Sequence, residues 1–306
     1  MVMNYVASEA DRLPLPDCYL SEARYLGYRD SDVARPFAKY FRFETEPIQA
    51  HVRDALLGGK APPEYGYDID EAARMLARRG YHHLETGWTR LDNGVIVVAC
   101  RNDMPGVNAA MWDWWFGWFG TETARYKLWH PDAHLYSAVA EDRSRDRALT
   151  DRQRYIGNVS YVDEYIGGTV QRLAVRFVDP AAVGIDNTAG ATHICARVGL
   201  SRARLLVAWL IHQVRPTVDG AEMRSRFFLG HPRVLEAAAQ SLTDSGPARI
   251  LNSRLVAAAA NAVLPRVVRR VAPARIAHDV LFHCASEMNH LATFLPQLYD
   301  EFNGSP

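Results

Sequence analysis

Residues 158–178 read Asn-Val-Ser-Tyr-Val-Asp-Glu-Tyr-Ile-Gly-Gly-Thr-Val-Gln-Arg-Leu-Ala-Val-Arg-Phe-Val. Two runs rich in β-branched and aromatic residues, 158–165 and 169–178, flank Gly167-Gly168, a pair that supplies a hairpin turn. So short a connection permits only antiparallel pairing, because a parallel return needs a crossover of roughly a dozen residues. Similar runs at 95–100, 134–140, 191–200, 205–214 and 221–229 bring the predicted strands to seven. Asn93-Gly94, Asp186-Asn187 and Asp219-Gly220 punctuate them as turns.

Working outward, residues 111–129 are aromatic-rich with breaks at Gly117 and Gly120, and read as two short helices. After Pro232 the pattern turns helical over 233–240, 248–261 and 277–299. The order is strand, two helices, six strands, then a helical tail ending in a long helix. A curved antiparallel seven-stranded sheet gripping that C-terminal helix satisfies it, an α+β arrangement of the Bet v 1 and START type. Before the sheet, 48–57 reads as a helix stopping at Gly58-Gly59, and 60–66 as a Pro/Gly-rich linker. Asp68 to Glu71 carries capping-box spacing for a helix over 72–79 ending at Gly80. The expected division is a smaller, mainly helical domain at 1–80 and the sheet-and-helix domain at 81–306.

Lys plus Arg equals Asp plus Glu, 35 against 35, which gives no electrostatic footprint for nucleic acid or an anionic membrane. The cysteines, Cys18, Cys100, Cys195 and Cys284, form no C-x-x-C pair, which excludes a zinc ribbon or a thioredoxin-type motif. The first twelve residues lack the basic-then-apolar pattern of a signal peptide. The most apolar stretches, 111–120 and 255–271, are too short or too interrupted for the ~20 apolar residues of a membrane span. The expectation is a cytoplasmic protein with reduced thiols, bound to neither nucleic acid nor membrane.

The chemistry centres on His283-Cys284-Ala285-Ser286-Glu287 in the last helical stretch. Positions four apart share one helix face, so both side chains can reach one metal ion. The spacing alone is common and equally describes a hydrogen-bonded surface pair. The surroundings, Val280, Leu281, Phe282, Met288, Leu291 and Phe294, are apolar, which marks a buried helix. A buried His and Glu need partners, and the sheet offers three positions: His134, Glu164 and His212. Leu206, Ala208 and Leu210 share strand parity with His212, which points it toward the core. A surface role for Glu164, with Asp163 inward, and a satisfied core histidine at 212 remain the plain alternatives.

Several segments carry a resemblance. Trp114-Trp115-Phe116-Gly117-Trp118, Arg125-Tyr126-Lys127-Leu128-Trp129-His130-Pro131-Asp132-Ala133-His134 and Tyr161-Val162-Asp163-Glu164-Tyr165-Ile166-Gly167 are three of them. Glu222-Met223-Arg224-Ser225-Arg226-Phe227 and His283-x-x-x-Glu287-Met288-x-His290-Leu291 complete the set. Together, and in this order, they resemble the 2,4-diacetylphloroglucinol hydrolase and phloretin hydrolase family. The resemblance implies a Bet v 1-like domain and hydrolysis of the carbon–carbon bond between an acyl group and a polyhydroxylated ring. It implies one zinc ion held by His134, Glu164, His283 and Glu287. It also implies a mainly helical N-terminal part that forms a homodimer.

His130 competes with His134 as the ligand. His134 is preferred because it opens a strand and so sits on a rigid element. His290 is expected to orient a ligand. His212 is the candidate general acid/base, and Tyr126 the hydrogen-bond donor to a ring hydroxyl or developing oxyanion, with a core aromatic as its plain alternative. Of Trp112, Trp114, Trp115, Trp118 and Trp129, most are expected in the core and one or two along a flat pocket. The expected substrate is a small aromatic polyketide, 2,4-diacetylphloroglucinol first, with phloretin-like or other β-diketone substrates behind it. A metal-free carrier of hydrophobic ligands is the competing class.

Overall fold

The computed structural model describes residues 5–186, 190–235 and 254–304. Across the Asn93-Gly94 turn the Leu91 amide donates to the Val95 carbonyl oxygen at 2.9 Å, folding one short strand, β1 (Gly87–Arg90), onto β2 (Ile96–Pro105). β3 (His134–Val139), β4 (Val159–Ile166), β5 (Thr169–Val178), β6 (Thr192–Leu200), β7 (Leu205–Pro216) and β8 (Gly220–Val234) follow. All eight join one antiparallel sheet in the order β1-β2-β8-β7-β6-β5-β4-β3. The sequence predicts seven strands. β1 is the eighth, and at four residues it is too short to show a period of its own.

The helices are α1 (Asp17–Ser21), α2 (Asp30–Val33), α3 (Ala50–Gly58), α4 (Ala72–Leu76), α5 (Ala109–Trp118), α6 (Thr123–Trp129) and α7 (Asp151–Tyr155). α8 (Arg254–Val271), α9 (Arg275–Ala292) and α10 (Leu295–Phe302) complete the described set. α9 is the helix the sheet wraps. Near one end of the sheet, Asn102 of β2 donates from Nδ2 to the Ala285 carbonyl at 3.2 Å. Near the other, Glu164 of β4 lies 3.7 Å from His283. One continuous sheet meets one helix from both sides only by curling around it, and the right-handed twist of antiparallel strands supplies that curl.

Both faces of the sheet are covered. The inner face packs on α5, α6, α9 and α10 through Trp112, Trp115, Phe177, Leu281, Met288 and Leu295, all buried. The outer face is covered by N-terminal residues. Tyr67, Ile69 and Leu76 pack on Val97, Trp209 and Phe228, and Ala10 and Tyr19 pack on Tyr136 and Tyr161. Beneath this cover lie two fully buried arginines of β8. Arg224 and Arg226 both pair with Glu85, Arg224 also donates to Gln213 Oε1 at 2.8 Å, and Arg226 Nε donates to the Tyr67 hydroxyl at 3.1 Å.

Local departures from the sequence reading have local causes. The Ile69 amide donates to Asp68 Oδ1 at 2.7 Å, the segment opens with a 3₁₀ turn over Ile69–Glu71, and α4 stops at Leu76 short of the expected 79. The long helix read over 277–299 is two helices, because Pro296 cannot donate an amide to a continuing helix and instead starts α10. β8 extends to Val234, into the stretch read as a helix from 233. Residues 236–240 of that stretch, the first residues of the 248–261 helix and Asn187 of the Asp186-Asn187 turn lie outside the described residues. In β7 the register shifts between Leu206 and Ala208. This bulge turns Leu206 into the outer cluster, away from the face it was read to share with His212. No helix among the described residues is long and apolar enough to cross a membrane.

Candidate metal centre

His134 opens β3 immediately after α6 and a turn in which its amide donates to the His130 carbonyl at 2.9 Å. Glu164 of β4 stands directly opposite it in the strand register. From the other side, α9 presents His283 and Glu287 one turn apart. All four residues are buried.

Their donor atoms converge. His134 Nε2 lies 3.7 Å from Glu164 Oε2 and 3.5 Å from Glu287 Oε2. His283 Nε2 lies 3.7 Å from Glu164 Oε1 and 3.8 Å from Glu287 Oε2. These separations are too long for hydrogen bonds. They approach the ~3.4 Å edge of a tetrahedron whose centre lies about 2.1 Å from each ligand. His134, Glu164 and His283 alone already bring one ligand atom each within 4.8 Å of one another.

The surroundings favour the neutral, ligating form of both histidines. The His134 Nδ1–H donates to the Tyr126 carbonyl at 2.9 Å, which leaves Nε2 as the bare lone pair. That atom is buried with no hydrogen-bond partner. Burial, reinforced by neighbouring His283, holds the His134 ring well below the usual histidine range, and burial lowers His283 too, so both imidazoles are neutral. Burial, then Cys284 and Glu164, push the Glu287 carboxyl well up. Two buried carboxylates side by side are costly without a cation between them. An orphaned imidazole nitrogen, neutral histidines and a crowded carboxylate pair make a donor set that fits a divalent metal, with zinc the natural match for two nitrogens and two oxygens.

Tyr126 touches two of the four. Its ring stacks on His134 at 3.7 Å between centroids, with an interplanar angle of 5°. Its hydroxyl donates to Glu164, and burial, with that carboxylate next to it, holds the phenol protonated. His212 stands elsewhere on the inner face. Its Nδ1 is 2.7 Å from Ser225 Oγ, and its ring packs against Phe116 and Phe227. Burial lowers it to about 3, so it is neutral at ordinary pH. Asp163 and Glu164 are both buried, on opposite faces: Asp163 pairs outward with Tyr19 and Arg24, while Glu164 faces inward.

His130 lies beside the cluster, its ring 5.1 Å from that of His283, but its Nδ1 is 3.2 Å from Thr45 Oγ1. His290 Nδ1 accepts from the Glu46 amide at 3.1 Å, and its Nε2 has no hydrogen-bond partner among the described residues. Thr45 and Glu46 were not singled out from the sequence. They lie some 85 residues or more from the histidines they touch, and no local pattern announces such a contact.

A cavity of about 390 Å³ opens onto Glu164, His283 and Glu287. Tyr126, His212 and Trp129 also line it, while Trp112, Trp114, Trp115 and Trp118 are core. Ser160 and Gln171, neither singled out from the sequence, add polar groups. The arrangement brings a His/Glu cluster that could hold a metal, a protonated phenol and a neutral imidazole to one largely apolar chamber.

The profile of the DAPG hydrolase PhiG domain family matches residues 67–300. A 2,4-diacetylphloroglucinol hydrolase of Pseudomonas protegens is 29% identical over 288 residues, covering 89% of this chain and 86% of that one. A 2,4-diacetylphloroglucinol hydrolase of a Pseudomonas species is 29% identical over 288 residues, covering 89% and 90%. A phloretin hydrolase of Eubacterium ramulus is 27% identical over 212 residues, covering 67% and 76%.

Proposed function

The chain belongs to the DAPG hydrolase PhiG domain family, and from that premise we propose that it hydrolyses the carbon–carbon bond between an acyl group and a polyhydroxylated aromatic ring, with zinc held by His134, Glu164, His283 and Glu287. The observation that carries the reading is the convergence of four buried residues beside an apolar cavity, each histidine Nε2 lying 3.5–3.8 Å from both carboxylates. The wrapping of the sheet around α9 supports the Bet v 1-like, helix-grip description. The named relatives put 2,4-diacetylphloroglucinol first among substrates, cleaved to monoacetylphloroglucinol and acetate, with phloretin-like acylphenols next.

The chemistry follows from the substrate. Tautomerisation makes the acyl-bearing ring carbon tetrahedral, so that the acyl carbonyl is half of a β-diketone. Water adds to that carbonyl, the carbon–carbon bond breaks, the ring leaves as an enolate with its carbon already protonated by the tautomerisation, and a proton returns to the enolate oxygen to restore the phenol. Bound zinc supplies Lewis acidity and lowers the pKa of water towards ~7. Tyr126, held protonated, donates a hydrogen bond to oxygen. His212, neutral with Nδ1 engaged by Ser225, presents Nε2 to relay the proton that the ring carbon takes up in the tautomerisation. Phe116, Phe119 and Trp129 exclude water beside the ring.

The test is to incubate the protein with mono- and diacetylphloroglucinol and measure acetate, with and without prior chelation. Acetate release that chelation stops and zinc restores is the expected result. Absence of both stoichiometric metal and acetate would move the reading to a metal-free carrier. Tyr126→Phe removes the Glu164 hydrogen bond and one donor. It is expected to weaken zinc binding about 10- to 100-fold, measured by chelator competition, and to lower kcat about 100-fold.

The reading extends to a cytoplasmic homodimer without nucleic-acid or membrane partners, joined through an N-terminal domain at 1–80. The exposed Leu20, Val33, Phe43 and Leu57 support a contact there. Light scattering of the purified chain decides the dimer.

A further inference from the structure

The cavity is divided by chemistry. One side is aromatic: Phe116, Phe119 and Trp129 are in mutual ring contact, Tyr126 packs on Phe119 and Trp129, and Tyr126 stacks on His134. Phe116 extends this floor to His212 and Phe177. The other side is aliphatic. Leu173, Val175 and Val198 belong to the paired strands β5 and β6, and Val207, Ala208 and Leu229 to the paired strands β7 and β8. Val280 and the partly exposed Ile276 of α9 line the same cavity. Beyond the metal-site residues and His212, Ser160, Thr169, Gln171, Arg275 and Asp279 add polar groups to the lining. The turn after β4 comes so close to α9 that a Cβ on Gly167 would lie 2.6 Å from the Asp279 carboxylate.

A polyhydroxylated ring needs hydrogen-bonding groups and a flat wall, which only the aromatic side offers. The aliphatic side offers neither hydrogen bonds nor stacking, so it suits a saturated chain. Size agrees. At about 18 Å³ for each non-hydrogen atom in close-packed organic matter, 390 Å³ holds about 20 such atoms. A diacetylated phloroglucinol has about 15 and leaves the aliphatic side unfilled.

Resting on the hydrolytic reading above, we propose that the substrate is an acylphenol whose acyl group is a saturated chain much longer than acetyl, lying between Val198, Val207, Leu229 and Ile276. The reaction adds one water across the bond, giving the free phenol ring and a medium-chain carboxylic acid. Val198, Val207 and Leu229 are then the residues that set chain length.

The test is the kcat/KM of the zinc-loaded protein on acetyl-, butanoyl-, hexanoyl- and octanoylphloroglucinol. Each buried methylene contributes up to about fourfold, so hexanoyl is expected to exceed acetyl by at least about tenfold. Val198→Phe, which fills the chamber, is expected to lower the hexanoyl-to-acetyl ratio at least about fivefold. A series that is flat, or falls from acetyl, overturns the proposal. If no member is cleaved, the hydrolytic reading fails, and binding decides the chamber on its own. Tryptophan fluorescence would then compare 4-hexylresorcinol with resorcinol on the wild-type protein. Hexylresorcinol binding at least about tenfold tighter supports the chamber, and equal affinity overturns it.

Discussion

Zinc is expected to fall from about one per chain to less than about 0.1 when His283 and Glu287 are both replaced by alanine, and carbon–carbon cleavage to fall at least about 10³-fold. The two residues supply half of the donor set and all of it that comes from α9. His134 and Glu164, left facing each other across β3 and β4, cannot complete a tetrahedral site. The fold should survive. The double variant deletes Glu287, whose carboxyl burial already pushes up, and thereby relieves the crowding with Glu164. Elemental analysis measures the zinc, and circular dichroism checks the fold. A folded variant that keeps a full equivalent of zinc would remove these four residues from the metal site.

The second large effect is on stability. Glu85→Ala strands Arg224 and Arg226, both fully buried, with their shared carboxylate gone. Removing one partner of a buried ion pair costs about 3–5 kcal/mol, which should lower Tm by about 5–8 °C in a chain of this length. The pH dependence has a definite sign. Burial alone would raise the Glu85 carboxyl, but the Arg224 hydrogen bond and both guanidinium charges outweigh it and bring it down to about 2 from 4.5. The stabilisation is therefore complete above about pH 4.5 and is lost as pH falls towards about 2. Wild type and variant should differ most in Tm above pH 5 and converge on acidification. A constant Tm difference down to pH 2 would show that the Glu85 charge contributes nothing.

Antiparallel topology was legible because its signals are local. Gly167-Gly168 and Asp219-Gly220 fix hairpins, and β-branched runs on either side leave the strands no other pairing. Only part of the candidate centre could be read that way. The four-residue spacing of His283 and Glu287 placed them on one helix face, whereas His134 and Glu164 were assigned as ligands only through the family resemblance. β1 escaped because four residues carry no periodicity, although the turn after it was visible. Leu206 was put on the wrong face because a bulge, set by strand pairing, breaks the alternation on which the parity argument rests.

The sequence by itself determined the succession of strands β2 to β8 along the chain, the aromatic helices before β3 and the i,i+4 pair on the last apolar helix, since turn residues and hydrophobic periods act over a few positions. The tertiary structure alone decided that one curled sheet brings β3 and β4 against α9. It alone seated Thr45 and Glu46 behind His130 and His290, and divided the cavity into an aromatic floor and an aliphatic wall. These arrangements join residues some 30 to 240 positions apart. Such contacts form when buried surface and paired strands outweigh the entropy of closing long loops, and no short window of sequence contains that balance.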